Sequence, residues 1–225
     1  NSPLVAYLSP SDIFASECEI ILSEIPLLAD LKAYNLSIVS RDRFSNQLSV
    51  SKARFEVTLI DGQELRRRVI ALRDGLYFLE VQTIISGFRT IKITQDGIDV
   101  KGSPSDLVFF PNIAVPPLSS ILGPFISLST AGYLSLFTIQ MKDAYLNFRS
   151  FVDEIITIGV QAGQQDASEL TDVQPIDGGK FIVQYALTYA GLYRMNVLAN
   201  TISIGPNPYF LRVNPAETKA LNSFL

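Results

Sequence analysis

The chain repeats itself, and this limits its fold more than any other feature. Residues 74–104, DGLYFLEVQTIISGFRTIKITQDGIDVKGSP, lie over residues 178–208, GGKFIVQYALTYAGLYRMNVLANTISIGPNP. Gly75, Gly87, Ile98 and Pro104 then fall on Gly179, Gly191, Ile202 and Pro208, all at an offset of 104 residues. Upstream, LSIVSRDRFSNQ (36–47) lies over FTIQMKDAYLNF (137–148), with Asp42 on Asp143 and Asn46 on Asn147 at an offset of 101. The difference predicts three extra residues in the second copy, in the polar stretch between Val160 and Gly178. Whatever this sequence folds into it folds into twice, and a unit of about 100 residues can bury a core of its own.

Within each copy the pattern has a period of two. Tyr77, Leu79 and Val81 alternate with Phe78, Glu80 and Gln82, and Phe181, Val183 and Tyr185 occupy the matching positions. Such alternation marks strands with one buried face. Short strands separated by turn residues every eight to twelve positions suit a sandwich of two sheets. The predicted fold is therefore all-β, as two tandem immunoglobulin-like sandwiches. There is no Trp and only one Cys, so a core built on a disulfide and a Trp is not available. Aromatic and branched residues must fill it, among them Leu36, Ile38, Phe55, Val57, Tyr77, Leu79, Ile91 and Ile93, then Phe137, Ile139, Ile156, Ile158, Phe181, Val183, Tyr185, Met195 and Val197.

The last strand of each copy is interrupted. In GIDVKGSPSDLVFFP (97–111), Ile98 and Val100 lead in, Leu107 to Phe110 lead out, and Gly102, Ser103 and Pro104 stand between. Proline has no amide hydrogen for a ladder, so the break is expected to bend the strand away from one pairing partner and onto another. Pro3 and Pro10 show the same seven-residue separation as Pro104 and Pro111, and as Pro208 and Pro215. Residues 1–14 thus read as the last strand of a preceding copy with its linker, 15–112 and 113–217 as two copies, and 218–225 as the start of a following one.

Charge and residue counts exclude several functions. There is no histidine, which removes the usual general base near neutral pH and the commonest metal ligand. The chain therefore reads as non-enzymatic, with no cofactor. Net charge is −4, from 12 basic against 14 acidic side chains in residues 1–112 and 6 against 8 in the rest, so neither half offers a basic face to nucleic acid. Cys18 is alone and reads as a buried, unreactive thiol. No charged, apolar and small-residue leader pattern opens the sequence. Residues 107–141 carry no charge, but four prolines and two glycines punctuate them and the repeat divides them into strands and a linker, so no membrane span is expected.

The order of features is a strand, Asp-x-x-x-Asn, two strands, a Gly-x-Tyr or Gly-x-Phe strand, a Gly-led strand and an apolar strand containing Gly-Ser-Pro. This resembles the filamin-type immunoglobulin-like repeat. The most specific piece is GFRTIKITQDGIDVKGSP followed by LVFF, and GLYRMNVLANTISIGPNP followed by YFLRV repeats it with Asn207 at the serine position. The resemblance covers both copies and implies a seven-stranded sandwich used as a rod segment, adhesive module or docking platform. It also implies that a partner peptide adds as a strand beside the C and D strands, here RFEVTLI (54–60) and ELRRRVIAL (64–72), with IITIGVQ (155–161) as the second C strand. Arg54, Glu56, Arg66, Arg67 and Arg68 would form that edge, the arginines favouring an acidic ligand. The plainer reading is a solvated edge whose charges deter aggregation, and the second copy lacks the arginines.

Three further features carry expectations. Asn35 opens the one sequon, NLS, on a solvent-facing position where a glycan fits. Asp42 with Asn46, and Asp143 with Asn147, lack the company of carboxylates that calcium needs and are expected to bond their own loop backbone. Ile121, Leu122, Phe125 and Ile126 lie in an uncharged stretch whose counterpart in the first copy carries Glu17, Glu19, Glu24, Asp30 and Lys32, which suggests an apolar contact holding the two sandwiches together, stiffened by Pro116 and Pro117. Two placements compete. Low charge and the sequon favour an extracellular or cell-surface filament or adhesion protein whose partners are neighbouring repeats or copies of itself. The unpaired Cys18 and the basic D strand favour a cytoplasmic cytoskeletal scaffold that docks peptides.

Overall fold

The computed structural model describes residues 9–22, 26–50, 52–62, 64–162, 165–166 and 171–217. The expected strand of a preceding copy (its residues 1–8) and the expected start of a following one (218–225) lie outside them. The chain divides into two compact units that part between Phe110 and Pro111. Apart from three short 3-10 turns, the regular structure among the described residues is all β.

In the first unit the strands are β1 (Glu19–Ile21), β2 (Leu27–Leu28), β3 (Tyr34–Val39), β4 (Phe55–Leu59), β5 (Arg66–Ala71), β6 (Leu76–Gln82), β7 (Gly87–Gln95), β8 (Ile98–Asp99) and β9 (Ser105–Phe110). One sheet has the order β1-β3-β6-β5 and the other β2-β9-β7-β4, with β8 on the end of β7. The second unit uses β10 (Ser120–Leu122), β11 (Leu128–Thr130), β12 (Ser135–Gln140), β13 (Ile156–Ala162), β14 (Gln165–Asp166), β15 (Thr171–Ile176), β16 (Lys180–Tyr185), β17 (Gly191–Ala199), β18 (Ile202–Ser203) and β19 (Tyr209–Asn214). Its sheets run β10-β12-β16-β15 and β11-β19-β17-β13-β14, with β18 beside β17. This is one topology built twice. The surplus residues of the second copy lengthen β13 and form β14, which folds back so that Gln161 faces Asp166.

Period-two alternation becomes burial. Tyr77, Leu79 and Val81 of β6 face Leu36 and Ile38 of β3 inside the first unit, and Phe181, Val183 and Tyr185 of β16 face Phe137 and Ile139 of β12 inside the second. Val57, Leu59 and Ile156 are only partly buried because each lies on a strand at or near a sheet border. Each fully buried side chain of this size contributes roughly 1.5–3 kcal/mol. Phe55 and Tyr77 meet edge to face at 4.9 Å in the space where a Trp and a disulfide are absent.

The interrupted strand does something other than expected. β8 and β9 both pair with β7, so the chain does not change partner across the break. Instead it steps out for a few residues, where Lys101 N–H donates to Cys18 O at 2.9 Å, and then returns. The step would leave Ile93 N–H without a rung, and Ser103 Oγ supplies the acceptor at 2.7 Å. In the second unit Asn207 Oδ1 does the same for Val197 N–H at 2.8 Å. The peptide bonds Ser103–Pro104 and Asn207–Pro208 are both cis.

Candidate functional site

The residues expected to form a peptide edge lie on strands of two different sheets and do not converge. β4 borders one sheet of the first unit and β5 borders the other. Along β5 the odd residues turn inward, since Val69 packs on the core, so Arg66 and Arg68 stand on the outer face and Arg67 points into the mouth between the sheets. There its Nε donates to Val57 O at 2.8 Å. Glu56 lies on β4, opposite Thr94, and Arg54 precedes the strand and lines a cleft at the other end with Lys52 and Asp96. Arg66 borders a depression of about 140 Å³ with Leu31, Glu64, Gln82 and Thr83.

Asn35 is exposed in the middle of β3, and its row runs across the sheet through Glu80 to Arg68. The sequon and one of the arginines thus share a face. Of the four apolar residues after the linker prolines, Ile121 and Ile126 pack on the second unit's own core. Leu122 and Phe125 are 53% and 38% exposed.

The Asp-Asn pairs are the most highly connected polar groups. Asp42 is buried, and its Oδ1 accepts from Phe44 N–H and Asn46 N–H, both at 2.9 Å. Asn46 Nδ2 donates to both carboxylate oxygens. The expected loop bonding is therefore present. A further donor was not foreseen: Oδ2 also takes Ser11 N–H at 3.0 Å, from the segment leading into the unit. Asp143 repeats the arrangement, its Oδ1 accepting from Tyr145 N–H and Asn147 N–H and its Oδ2 from Asn147 Nδ2 and, at 3.0 Å, from Asn112 N–H. The separation of 101 residues between Ser11 and Asn112, equal to that between Asp42 and Asp143, was the available signal. Burial alone would raise the Asp42 pKa, but the hydrogen bonds from Ser11, Asn46 and Phe44 outweigh it and hold the pKa at about 2. With both oxygens occupied by N–H donors, the carboxylate is a clasp for backbone. Among the described residues, no three His, Cys, Asp or Glu side chains are placed to hold a metal.

Two buried arginines also escaped the sequence reading. Arg149 donates to Asn112 O at 2.6 Å and to Asp153 Oδ1 at 2.7 Å, which gives the second clasp a grip that the first, with Leu48 at the matching position, does not have. Burial pushes the neighbouring Glu154 carboxyl up, and its bond to Asp153 adds to this. Arg89, in the first unit, is 1% exposed. Cys18 is fully buried, and desolvation raises its thiol pKa, as suits an inert side chain.

No family model matches the sequence, and neither does any curated protein. Solved structures do. FdeC, an adhesin of Escherichia coli, matches with 15% identity over 92% of this chain and 67% of that one, at a TM-score of 0.60. Invasin, a bacterial integrin-binding protein, matches with 14% identity over 94% of this chain and 42% of that one, at a TM-score of 0.67. The filamin domain of Lin-41 is matched by 46% of this chain, with 18% identity over 98% of the domain and a TM-score of 0.41. This chain thus spans two thirds of FdeC and under half of invasin. The strand order and the likeness through both units set the class: tandem immunoglobulin-like β-sandwich repeats, in keeping with the filamin-type pattern of the residues. No helix among the described residues is long and apolar enough to cross a membrane.

Proposed function

We propose that this chain is a structural and adhesive repeat module of an extracellular or cell-surface filament or adhesion protein, acting through protein–protein contacts and without catalysis. The observation that carries the proposal is the extent of the likeness to adhesins, which runs through both sandwiches and not one alone, at 92% and 94% of the chain. The repeat itself supports it. Both units keep the same carboxylate clasp and the same side-chain rung at the broken strand, whereas β5 carries three arginines and β15 carries none. A constant skeleton with changing faces suits a module that spaces and presents. Antibodies to the native fold should label intact cells of the source organism. Labelling only after permeabilisation would overturn the surface placement.

A second reading, a cytoskeletal scaffold docking peptides by β-augmentation, has one observation in its favour. β5 is an unpaired edge without proline, whereas β15 carries Pro175. An acidic extended peptide titrated into the labelled protein should shift the amides of Arg67, Val69 and Ala71, which alternate with the residues bonded to β6. If those amides stay unmoved while the peptide binds elsewhere, the edge is not the dock.

A further inference from the structure

We infer that the chain packs side by side with a second copy of itself, the outer face of the β4-β7-β9 sheet in the first unit of one copy seated on the matching face of the second unit of the other. The inference rests on the reading of the chain as a module that acts through protein contacts, and it names the surfaces that make them. Both faces hold large apolar side chains out to solvent. In the first unit Ile60, Phe88 and Phe110 are 57%, 66% and 41% exposed, and Val108 lies opposite Phe88. In the second, Leu128, Leu192 and Phe210 are 48%, 67% and 59% exposed. Single exposed apolar residues are ordinary, but a contiguous group of them on one sheet face marks a contact surface. Phe88 and Leu192 occupy the same position of the repeat, so the patch recurs in both copies.

The charges around the two patches have opposite sign. In the first unit two carboxylates meet at Thr90, whose hydroxyl donates to Asp106 Oδ1 at 2.7 Å and whose N–H donates to Asp61 Oδ2 at 3.4 Å. Glu56 adds a third on β4, and the cation of this face, Lys92, is already paired with Asp99 at 3.0 Å. The second unit has Arg194 where the first has Thr90, and Arg212 where the first has Val108. These arginines interleave with the apolar residues, Leu128, Arg212 and Leu192 forming one row and Phe210 and Arg194 the next. β11, β17 and β19 contain no acidic residue, and the acid of this sheet, Asp166, stands on the border strand β14. Like faces therefore repel: two first units would set carboxylate against carboxylate, and two second units arginine against arginine. The mixed pairing lays apolar on apolar and brings Arg194 and Arg212 to carboxylates. The shared topology gives both faces the same twist, so they stack as sheets do in a sandwich, about 10 Å apart with strands within about 30°. Four strands spaced about 4.8 Å apart cover on the order of 500 Å² in projection, less than the roughly 800 Å² per partner of a standard interface. A single contact is therefore weak and reversible, and repetition along an array multiplies it. Because the pairing joins two different surfaces, each pair keeps one free face of each kind, and the assembly grows copy by copy.

Sedimentation of the full 225-residue chain against concentration tests the inference. The average mass of the unmodified chain should rise with concentration past that of a dimer and fall as salt is added. Two neutral double variants each disable one face: Phe88→Gln with Asp106→Asn in the first unit, and Arg194→Gln with Phe210→Gln in the second. Each alone should associate at least about tenfold more weakly. Mixed together they should form a one-to-one complex that grows no further, because the first variant keeps its second-unit face and the other its first-unit face. Thermal melts check that both variants fold, and the salt dependence of the unmodified chain needs neither. An unmodified chain that stays monomeric up to about 1 mM would overturn the inference. So would association that salt strengthens, or a mixture that stays monomeric where the unmodified chain associates. Labelling of intact cells is a separate readout: a monomer that labels them sinks this inference alone, and an associating chain labelled only after permeabilisation sinks the surface placement alone.

Discussion

Arg89 and Tyr193 occupy the same position in the two sandwiches and reach the same acceptor. Arg89 Nη2 donates to Ile85 O at 2.9 Å, and Tyr193 Oη donates to Tyr189 O at 2.9 Å. The tyrosine forms the corner bond common in immunoglobulin-like folds. The arginine makes the same bond with a charged group that has no ion pair among the described residues, and its buried Nε has no acceptor.

An unsatisfied buried donor costs about 1–3 kcal/mol, and a buried charge without a partner adds to this. Arg89→Tyr should therefore raise the unfolding free energy of the first unit by roughly 1–2 kcal/mol. Urea denaturation of the full chain measures it. A fall in stability would mean that the guanidinium contributes packing that a phenol cannot replace.

Asp42 predicts an acid limb. Its folded pKa of about 2 lies below the ordinary carboxylate value, so between pH 4 and pH 2 the unfolded chain binds more protons and stability rises with pH. The contribution is complete above about pH 4 and is lost as the pH falls through about 2. Asp42→Asn should flatten this part of the stability profile of the first unit, as followed by thermal melts across the acid range. An unchanged slope would assign the acid sensitivity to other carboxylates.

The broken strand yields a prediction for each copy. Ser103→Ala and Asn207→Ala should each destabilise their own unit by about 1–3 kcal/mol, because Ile93 or Val197 then presents an N–H with no acceptor. Ser103→Asn should be milder than Ser103→Ala, since the second unit already uses asparagine for this bond. Chemical denaturation of the three variants decides it, and equal losses for Ala and Asn would show that the bond is not the reason for a polar residue here.

The parts of this structure legible in the sequence are those with a period. Tyr77, Leu79 and Val81 announce their own burial by alternation, and the two offsets place the surplus residues of the second copy between Val160 and Gly178, the interval that holds β14. Bonds between residues distant along the chain carry no local pattern. Nothing near Asp42 indicates that Ser11 completes its shell, and nothing near Ser103 indicates that its hydroxyl replaces a rung on β7. The arginines of β5 show a related point: three consecutive side chains of one type stand together in the sequence, although a strand sends neighbours to opposite faces.

That separation makes Arg67 the arginine with a distinct prediction. Ile93, opposite Val57, spends its own N–H on Ser103 and its carbonyl on Val100, so Val57 is turned away from β7 and its carbonyl faces the open border of β4. Arg67 covers that carbonyl from the neighbouring sheet. Exposed strand borders invite pairing with other chains, and here a side chain already holds the acceptor an added strand would need. Arg67→Ala should change folding stability by less than about 0.5 kcal/mol, since the group is exposed at the surface. It should nevertheless increase self-association, measured by sedimentation as a function of concentration, whereas Arg66→Ala should not. The difference follows from where the two side chains point, because both variants remove the same charge. Matching behaviour of the two would mean that net charge and not the covered carbonyl keeps this border apart from other chains.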